Sequence, residues 1–334
     1  MMVNKIHLIG LIVGIIFGLS SCIKMPVETN QPSQQIQIGY GPEDLVIDTI
    51  STAPRLLVSC NTRRDWEPQE SEIYTMDIAS RSVAKLNRIG EPKDLVFNPH
   101  GVDLVMERDS LILLVVCHDT LPHKTYIVRY LVKKEQLVYL DKYTHPLFTS
   151  PNAVAGFNDG SYIVSSDAKK SKDLFEVLFK IKVSKAVYCK NGNCENADKG
   201  VAFGNGIVIK DNKIYRASTR ENKVFAYDFV DGKMLNKNTI AKVKGPDNLR
   251  FEGNDLLVAC HLKSFAFLHH MKDSTKHSPS TIYRITTDGS QKPKVVYFNN
   301  GSVIDACATG LIFRNKLYLS QVFDPQVVVV DLEK

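Results

Sequence analysis

The chain has 334 residues, of which 44% are hydrophobic and 23% are charged, and these are the proportions of an ordinary globular protein. The net charge of +6 comes from lysines spread over the whole length, without a basic block or a basic helix, so we expect no nucleic-acid partner. The length allows two domains, although all-β folds of this size often form one.

The N-terminus has the pattern of an export signal. Lys5 is followed by an uncharged, mostly apolar run, Leu8–Leu19, and then by the small residues Ser20 and Ser21. This order is typical of a secretory signal, and the run is too short to favour a membrane-spanning helix. We therefore predict a signal peptide at residues 1–21.

The end of this signal, Leu19-Ser20-Ser21-Cys22, resembles the bacterial lipobox, in which the cysteine is lipidated and becomes the new N-terminus. This interpretation predicts an exported bacterial lipoprotein that Cys22 anchors to a membrane facing the periplasm or the cell exterior. The alternative is an ordinary signal peptide with a chance cysteine. With the lipidated cysteine as its first residue, the segment 22–35, rich in Pro, Asn and Gln, is predicted to form a tether.

One short pattern then recurs six times along the chain. Each copy is a tight Gly or Pro turn followed by an apolar, strand-like run, and five of the six carry side chains that bind hard metals or move protons. The copies are Gly41-Pro42-Glu43-Asp44-Leu45, Asn98-Pro99-His100-Gly101-Val102, Ser150-Pro151-Asn152-Ala153-Val154, Phe203-Gly204-Asn205-Gly206-Ile207, Gly245-Pro246-Asp247-Asn248-Leu249 and Cys307-Ala308-Thr309-Gly310-Leu311.

Further strand-like segments follow each turn, at a spacing of roughly 40 to 60 residues between units. An apolar run such as Asp255–Ala259 comes first, and an alternating segment such as Thr281–Ile285 has the period of a half-buried strand. Helical periodicity is nearly absent, and only Asp173–Lys182 is ambiguous. Six units of about four antiparallel strands predict an all-β fold, a six-bladed β-propeller over residues 36–334.

The last unit has only three strands before Lys334, and the alternating segment Gln34–Tyr40 would supply the fourth and close the ring. In a propeller the first strand of each blade lines the central channel, and the recurring turn precedes that strand in every unit. We therefore expect all six turns to lie at one end of the channel.

That end would present a set of oxygen and imidazole groups, Glu43, Asp44, His100, Asn152, Asn205, Asp247 and Asn248. Oxygen ligands suit calcium, which takes about six to eight of them, whereas zinc or copper would prefer several His or Cys ligands. The alternative is that Asn and Asp are simply turn formers that bond their own backbone. Because five of six aligned turns share the feature, the metal interpretation is favoured.

The ordered set of motifs resembles the paraoxonase/arylesterase family of six-bladed calcium propellers, and more distantly the gluconolactonases. The resemblance covers about residues 40–333, and any one of its motifs is weak while the ordered set is strong. It is carried by Gly41–Asp44, Phe97–Gly101, Leu114–Asp119, Asn152 with its following strand, Phe203–Ile207, Asp247-Asn248 and Val258–His261.

The resemblance implies a calcium-dependent hydrolase of lactones or aryl esters. It implies that His100 is the general base with His118 as its proton-relay partner, and that one catalytic calcium is held by Glu43, Asn152, Asn205, Asp247 and Asn248. Calcium can polarise a carbonyl and stabilise an oxyanion, and a histidine can take a proton from water near neutrality. Phe203 and His261 are candidate pocket residues, although packed positions would explain them and His118 equally well.

One position departs from the family pattern. Family members hold a second, buried calcium with Asp44, a carboxylate directly after position 152 and a backbone carbonyl near Val102, but this chain has Ala153. The second site is expected to be weak, absent, or filled by water and another group. The same loss removes an orienting partner of His118.

The cysteines fit an exported chain, in which disulfides are permitted. Cys189 and Cys194 flank a turn-like insert and are the favoured pair, whereas Cys60, Cys117 and Cys260 lie in apolar runs and are predicted to be buried free thiols.

Two other functions remain open at this stage. One is a surface binding module that keeps the channel cation without turnover and has no need of His100; the other is a hydrolase of sugar lactones.

Overall fold

The computed structural model describes residues 25–51, 53–119, 125–168 and 180–332. The predicted signal peptide, Cys22 and most of Asp173–Lys182 lie outside the described residues. Within the described ranges, no helix has the length and apolar character needed to cross a membrane.

Six sheets form the fold, and the prediction of a six-bladed propeller is confirmed. The first strand in chain order is β1 (Ser33–Gln37). Blade 1 follows with β2 (Pro42–Asp48), β3 (Arg55–Asn61), β4 (Ser71–Asp77) and β5 (Val83–Lys85). Blade 2 has a short strand β6 (Asn87–Ile89), then β7 (Pro99–Glu107), β8 (Ser110–His118), β9 (Thr125–Val132) and β10 (Gln136–Tyr143).

The remaining blades repeat the same order. Blade 3 has β11 (Pro151–Gly156), β12 (Tyr162–Ser166), β13 (Ala186–Lys190) and β14 (Asn193–Asn196). Blade 4 has β15 (Gly204–Lys210), β16 (Lys213–Ser218), β17 (Lys223–Val230) and β18 (Lys233–Lys242). Blade 5 has β19 (Pro246–Glu252), β20 (Asp255–Cys260), helix α1 (Ser264–Lys272), β21 (Ser280–Thr286) and β22 (Lys294–Asn299). Blade 6 has β23 (Cys307–Phe313), β24 (Lys316–Gln321) and β25 (Gln326–Asp331).

The ring closes as the sequence predicts. Strand β1 pairs antiparallel with β25, from Ser33 opposite Val330 to Gln37 opposite Gln326, and becomes the fourth strand of blade 6. Blade 2 differs from the plain four-stranded pattern because β6 adds a parallel fifth strand beside β10. The two ends of the described chain are thus joined in one sheet, in which β1 is the outer strand.

The described part of the predicted tether lies against blade 5. The backbone N–H of Thr29 donates to the carbonyl of Phe298 at 2.9 Å, and the N–H of Phe298 donates back to the Thr29 hydroxyl at 2.9 Å. Met25 packs against the apolar cluster between blades 4 and 5. The propeller strand itself begins at Ser33, three residues before the predicted boundary at 36.

The core lies between neighbouring blades rather than in one central mass. Leu57 of blade 1 packs with Leu113 and Val115 of blade 2, and similar buried clusters fill the other junctions. Each such side chain contributes about 1.5–3 kcal/mol by leaving water. The blades are therefore held face to face, which keeps the six first strands at fixed positions around the channel.

Helix α1 was not predicted from the sequence. Its N-terminal flanking residue, Lys263, makes no side-chain capping bond, and its first turn has no acidic residue, so the usual start signals are missing. The helix is held by packing instead, because Phe267 and Met271 contact a cluster that includes Ala308 and Phe323 of blade 6. It therefore covers blade 6 at the end of the channel where the recurring turns lie.

The cysteines lie as follows. The Sγ atoms of Cys189 and Cys194 are bonded, and the two residues are a cross-strand pair in the hairpin of β13 and β14. Four free thiols are buried, those of Cys60, Cys117, Cys260 and Cys307.

Candidate metal centre and active site

Every first strand has a β-bulge at the recurring turn. The pairing register shifts between Pro42 and Asp44, Pro99 and Val102, Pro151 and Ala153, Gly204 and Ile207, Pro246 and Leu249, and Cys307 and Thr309. A bulge gives one strand an extra residue and re-aims its side chain. The re-aimed residues are Glu43, His100, Asn152, Asn205, Asp247 and Asn248, with Ala308 at the corresponding place in blade 6.

Left-handed backbone precedes several of these bulges. Gly41, Gly245 and Phe203 have φ values of 59°, 59° and 58°, each two residues before a proposed ligand. This conformation suits glycine and is uncommon for a residue with a side chain, so Phe203 marks a backbone position that the surrounding fold imposes. Phe203 is half-buried, and its carbonyl accepts a hydrogen bond from the N–H of Thr219 at 2.9 Å.

Neighbouring turns approach closely at two glycines. A Cβ on Gly101 would lie 2.4 Å from the carbonyl oxygen of Asn152, and one on Gly206 would lie 2.7 Å from the Cα of Asn248. Both distances are too short for any side chain. Adjacent blades are therefore pressed together at this end, which brings the side chains after the turns within reach of one another.

Three buried amide oxygens at this end have no hydrogen-bond partner among the described residues. They are Oδ1 of Asn152, Asn205 and Asn248, whose residues are 6%, 6% and 3% exposed. A buried polar atom without a partner costs about 1–3 kcal/mol. Since the three asparagines lie on the same set of bulges as the two carboxylates Glu43 and Asp247, the arrangement has the character of a cation site.

Two threonine hydroxyls fix the orientation of the amides. The Thr309 hydroxyl donates to Asp44 Oδ1, the nearer and charged acceptor at 2.8 Å, and the carbonyl of Glu43 lies 3.1 Å away. It must then accept from Asn248 Nδ2 at 3.0 Å. The Thr219 hydroxyl donates to the carbonyl of Pro246 at 2.7 Å and accepts from Asn205 Nδ2 at 3.5 Å in the same way. The amide oxygens of both asparagines are left for another partner.

Arg63 lies among these residues, and the sequence analysis missed it. One of its nitrogens, Nη2, contacts Glu43 Oε2 and lies 3.1 Å from His100 Nδ1. The other oxygen of Glu43, Oε1, lies 3.0 Å from His100 Nε2. Because an arginine can only donate, His100 accepts at Nδ1 and has its proton on Nε2.

Both proposed catalytic histidines are neutral in this environment. Burial and the nearby Arg63 guanidinium lower the pKa of His100 to about 3, although Asp247 and Asp44 act in the opposite direction. Burial, His100 and Arg63 likewise lower the pKa of His118 to about 3. The two rings are in contact edge to face, with centroids 5.0 Å apart. Burial lowers the pKa of Arg63 to about 10, with Asp247 opposing the change, so Arg63 keeps its charge near neutrality.

His261 supports a ligand as well as facing the site. Its Nε2 lies 2.8 Å from Asp247 Oδ2, and its ring centroid is 4.6 Å from that of Phe267 on α1. One oxygen of Asp247 is therefore held by His261, and the imidazole in turn is held by the helix. The structure thus places His261 beside a proposed metal ligand, where it fixes the direction of a carboxylate.

Apart from the guanidinium of Arg63, which contacts Glu43, the donors at the main position fit one calcium ion, whereas those at the second position do not fit another. Glu43, Asp247 and the three amide oxygens supply hard oxygen donors of the kind calcium prefers. At the predicted second position, Asp44 and the carbonyl of Val102 both bond the guanidinium of Arg250, at 2.6 Å and 3.1 Å. Ala153 is buried and supplies no oxygen donor.

A separate cluster lies under α1. The ligand atoms of His270, Asp305 and Asp324 lie within 4.8 Å of one another. Arg64 already supplies a cation there, since its Nη1 lies 2.6 Å from Asp324 Oδ1 and its Nη2 lies 3.0 Å from His270 Nε2. We interpret this cluster as an attachment of the helix to the loop between β3 and β4.

A signal for Arg63 did exist in the sequence. In an antiparallel blade the second strand ends where the first begins, so residues just after β3, β8, β16 and β20 reach the same end as the recurring turns. His118 and His261 were recognised at such positions, whereas Arg63 follows β3 by two residues and was not. Arg250 gave no signal, because an arginine in an alternating strand usually faces solvent.

Comparison with known proteins adds to this geometry. A family model described as Arylesterase matches residues 65–329. The chain is 27% identical over 280 residues to serum paraoxonase/arylesterase 1 of Mus musculus, an alignment that covers 78% of this chain and 77% of that protein. It is 25% identical over 279 residues to serum paraoxonase/lactonase 3 of Homo sapiens, covering 78% and 77%. A solved gluconolactonase from Xanthomonas campestris is similar over 91% of this chain and 88% of that chain, with a TM-score of 0.53 and 12% identity, which shows likeness of fold alone.

Proposed function

The chain belongs to the arylesterase family, and from that membership together with the channel geometry we propose that it is a calcium-dependent hydrolase of lactones or aryl esters. The names of two relatives, an arylesterase and a lactonase, support this substrate class. The proposed catalytic residues are His100 and His118, and the proposed calcium ligands are Glu43, Asn152, Asn205, Asp247 and Asn248.

The observation that carries the proposal is the set of three unpartnered amide oxygens beside a neutral histidine. Asn152, Asn205 and Asn248 each direct a buried oxygen without a hydrogen-bond partner, and no such arrangement is needed for turns alone. Simple turn formers would bond their own backbone. A cation at this place would satisfy all three oxygens at once.

The chemistry follows from the residue types. Calcium, when bound, would polarise the carbonyl of the substrate and stabilise the developing oxyanion. His100 is neutral, and its unprotonated ring nitrogen, Nδ1, accepts from Arg63 in this structure. Nδ1 would take the proton of the attacking water once the guanidinium of Arg63 has moved away from it. His118, in edge contact with it, is placed to receive or return that proton. His261 fixes the orientation of the Asp247 carboxylate, and α1 covers the site beside His261.

The test is hydrolysis of phenyl acetate, aliphatic lactones and sugar lactones, with calcium and with the chelator EGTA. We expect calcium-dependent release of phenol or acid, and loss of it in Asn152→Ala but not in Asn238→Ala, an exposed amide on β18. Activity limited to sugar lactones would narrow the substrate class. Calcium binding without any hydrolysis would overturn the enzyme proposal in favour of a binding module.

We also propose that the chain is exported and anchored through a lipid on Cys22. This proposal depends on the lipobox-like sequence at residues 19–22. A bonded Cys189–Cys194 pair is in keeping with an oxidising compartment. The substrate would then be a small molecule that meets the protein outside the cytoplasm.

A further inference from the structure

The guanidinium of Arg250 crosses the channel from blade 5 to blades 1 and 2. Its Nε donates to the carbonyl of Leu45 at 2.9 Å, and its Nη1 donates to the carbonyl of Leu249 at 2.9 Å. Its Nη2 donates both to Asp44 Oδ1 at 2.6 Å and to the carbonyl of Val102 at 3.1 Å. One side chain thus joins three first strands immediately behind the candidate metal centre.

The carboxylate of Asp44 bonds four groups of the protein itself. Its Oδ1 accepts from Arg250, from the Thr309 hydroxyl at 2.8 Å and from the N–H of Leu45 at 3.0 Å. Its Oδ2 accepts from the N–H of Val102 at 2.9 Å. Oδ1 therefore has no acceptor site left, and the negative charge of the carboxylate is balanced by the guanidinium of Arg250. This is the opposite of the three asparagine oxygens, which have no partner.

We propose that Arg250 is the resident cation of this second position, so that the chain holds one calcium ion where the family pattern has two. The statement that one calcium ion is bound rests on the proposed function, whereas the placement of the Arg250 guanidinium at the second position does not. An arginine is always charged and its donors form a rigid fork, so it replaces a metal ion that bridges a carboxylate and a carbonyl. A second cation at the same place would be repelled.

Position 153 agrees with this assignment. A Cβ on Gly101 would lie 2.8 Å from the Cα of Ala153, so residue 153 lies against the segment that contains Val102. The methyl group of Ala153 adds no oxygen there. Residue 153 supplies no oxygen donor, and the guanidinium of Arg250 lies nearby. Together these two features explain why the second position does not require a metal ion.

Arg250 also positions the main site through a chain of hydrogen bonds. It bonds Asp44, the carboxylate of Asp44 accepts from Thr309, and the Thr309 hydroxyl fixes the amide of Asn248. Asp44 is also the neighbour of Glu43 in the sequence. Arg250 is therefore a positioning residue for two proposed ligands of the calcium ion.

The first experiment counts the ions. Bound calcium per chain is measured by equilibrium dialysis and elemental analysis in the wild type and in the double variant Ala153→Asp/Arg250→Ser, which restores an oxygen donor and removes the guanidinium. We expect the double variant to bind one ion more than the wild type, two against one. Two ions in the wild type, or no gain in a double variant that still melts cooperatively, would overturn the inference. No ion in the wild type with a gain of one in the double variant would overturn only the proposed calcium chemistry.

The second experiment keeps the inference testable if the double variant does not fold. We expect Arg250→Met to lower the melting temperature by about 5–10 °C, because it leaves the buried Asp44 charge unpaired. Asp44→Asn in the same chain should recover part of that loss. The matched control is Arg216→Met, another buried arginine, which bonds Asp198 and Ser165 in blade 3 and should combine additively with Asp44→Asn. Additive effects of Arg250→Met and Asp44→Asn would contradict the assignment.

Discussion

Arg63 Nη2 lies 3.1 Å from His100 Nδ1, so the proposed general base is hydrogen-bonded to an arginine at the centre of the channel end. The same nitrogen contacts Glu43, the proposed calcium ligand. One oxygen of Glu43 is therefore engaged by Arg63, and the other lies 3.0 Å from His100 Nε2. A calcium ion that uses Glu43 has to compete with the guanidinium for it.

This competition gives the first prediction. Arg63→Gln should raise calcium affinity by about 10-fold or more, because it removes a positive charge from a ligand carboxylate in a water-poor site. The measurement is a calcium titration by calorimetry at fixed ionic strength. Arg64→Gln is the matched control, because Arg64 bonds Asp324 and His270. This substitution should alter stability without raising calcium affinity. Equal calcium affinity in the wild type and Arg63→Gln would count against a metal site at Glu43.

The second prediction concerns metal and stability together. Asp247→Ala should weaken calcium binding and reduce the rise in melting temperature that calcium produces, because a ligand that binds only the folded state stabilises it, by about 2.7 kcal/mol at 100 times its Kd. Thermal melts over a calcium series measure this, with the exposed Asp65→Ala as control. Asn205→Ala gives the same test without disturbing His261. The site would be refuted by identical calcium-induced shifts in the wild type and both ligand variants.

The third prediction separates the base from the ligands. His100→Gln should lower kcat for lactone hydrolysis by roughly 10²- to 10⁴-fold, the usual contribution of a general base. Calcium affinity should change little, because His100 is not among the five proposed oxygen ligands. His118→Gln should do less, since it acts through His100. The control His145→Gln, in the loop after β10, should have no effect on kcat. Wild-type turnover in His100→Gln would place the base elsewhere.

Much of this architecture follows from local sequence. The Gly/Pro turns and the alternation of apolar residues are short-range signals, so the six blades and the closing role of β1 could be predicted. Because a propeller repeats one unit around an axis, that prediction also brings Glu43, His100 and Asp247 to one end. The ring geometry made distant residues neighbours without any information on their contacts.

The unpredicted features depend on tertiary contacts. The direction of Arg250 is set by the bulge between Pro246 and Leu249, which shifts the side chains of β19 relative to simple alternation. Arg63 lies in a loop whose path is fixed by packing, and α1 lacks capping residues and is stabilised by the apolar surface of blade 6. None of these has a periodic signature in the sequence.

The fourth prediction tests the anchor. Cys22→Ala should move the protein from the membrane fraction to the soluble exported fraction, because each buried methylene of a lipid contributes about 0.8 kcal/mol to membrane binding. The measurement is detergent phase partition of the two proteins after expression in a bacterial host that processes lipoproteins. Cys60→Ala removes a buried thiol and serves as the control. Identical partition of wild type and Cys22→Ala would show that Cys22 holds no lipid.

A last prediction comes from the cluster that fastens α1. His270 Nδ1 donates to the carbonyl of Lys276 at 2.7 Å, and its Nε2 lies 3.1 Å from Asp324 Oδ2 with Arg64 at 3.0 Å. Burial opposes charge on His270, but the hydrogen bond to Asp324 and the charges of Asp324 and Asp305 outweigh it and raise its pKa. Because Arg64 can only donate, its contact with Nε2 has to open when that nitrogen carries a proton. Burial is likewise outweighed at Asp324, where His270 and Arg64 lower the pKa.

The sign of the pH dependence follows from these two directions. A raised histidine pKa gives stability that is complete below the ordinary value of about 6.5 and is lost as pH rises through the folded value, while the lowered Asp324 pKa gives stability that is present above about 3.8. The attachment of α1 is therefore strongest between about pH 4 and 6.5. We expect the wild type to melt higher than His270→Gln at about pH 6 and to lose part of this advantage by about pH 8.5. The exposed His269→Gln on the same helix should show the wild-type dependence. A constant difference between wild type and His270→Gln over that range would mean that His270 carries no charge in the folded protein.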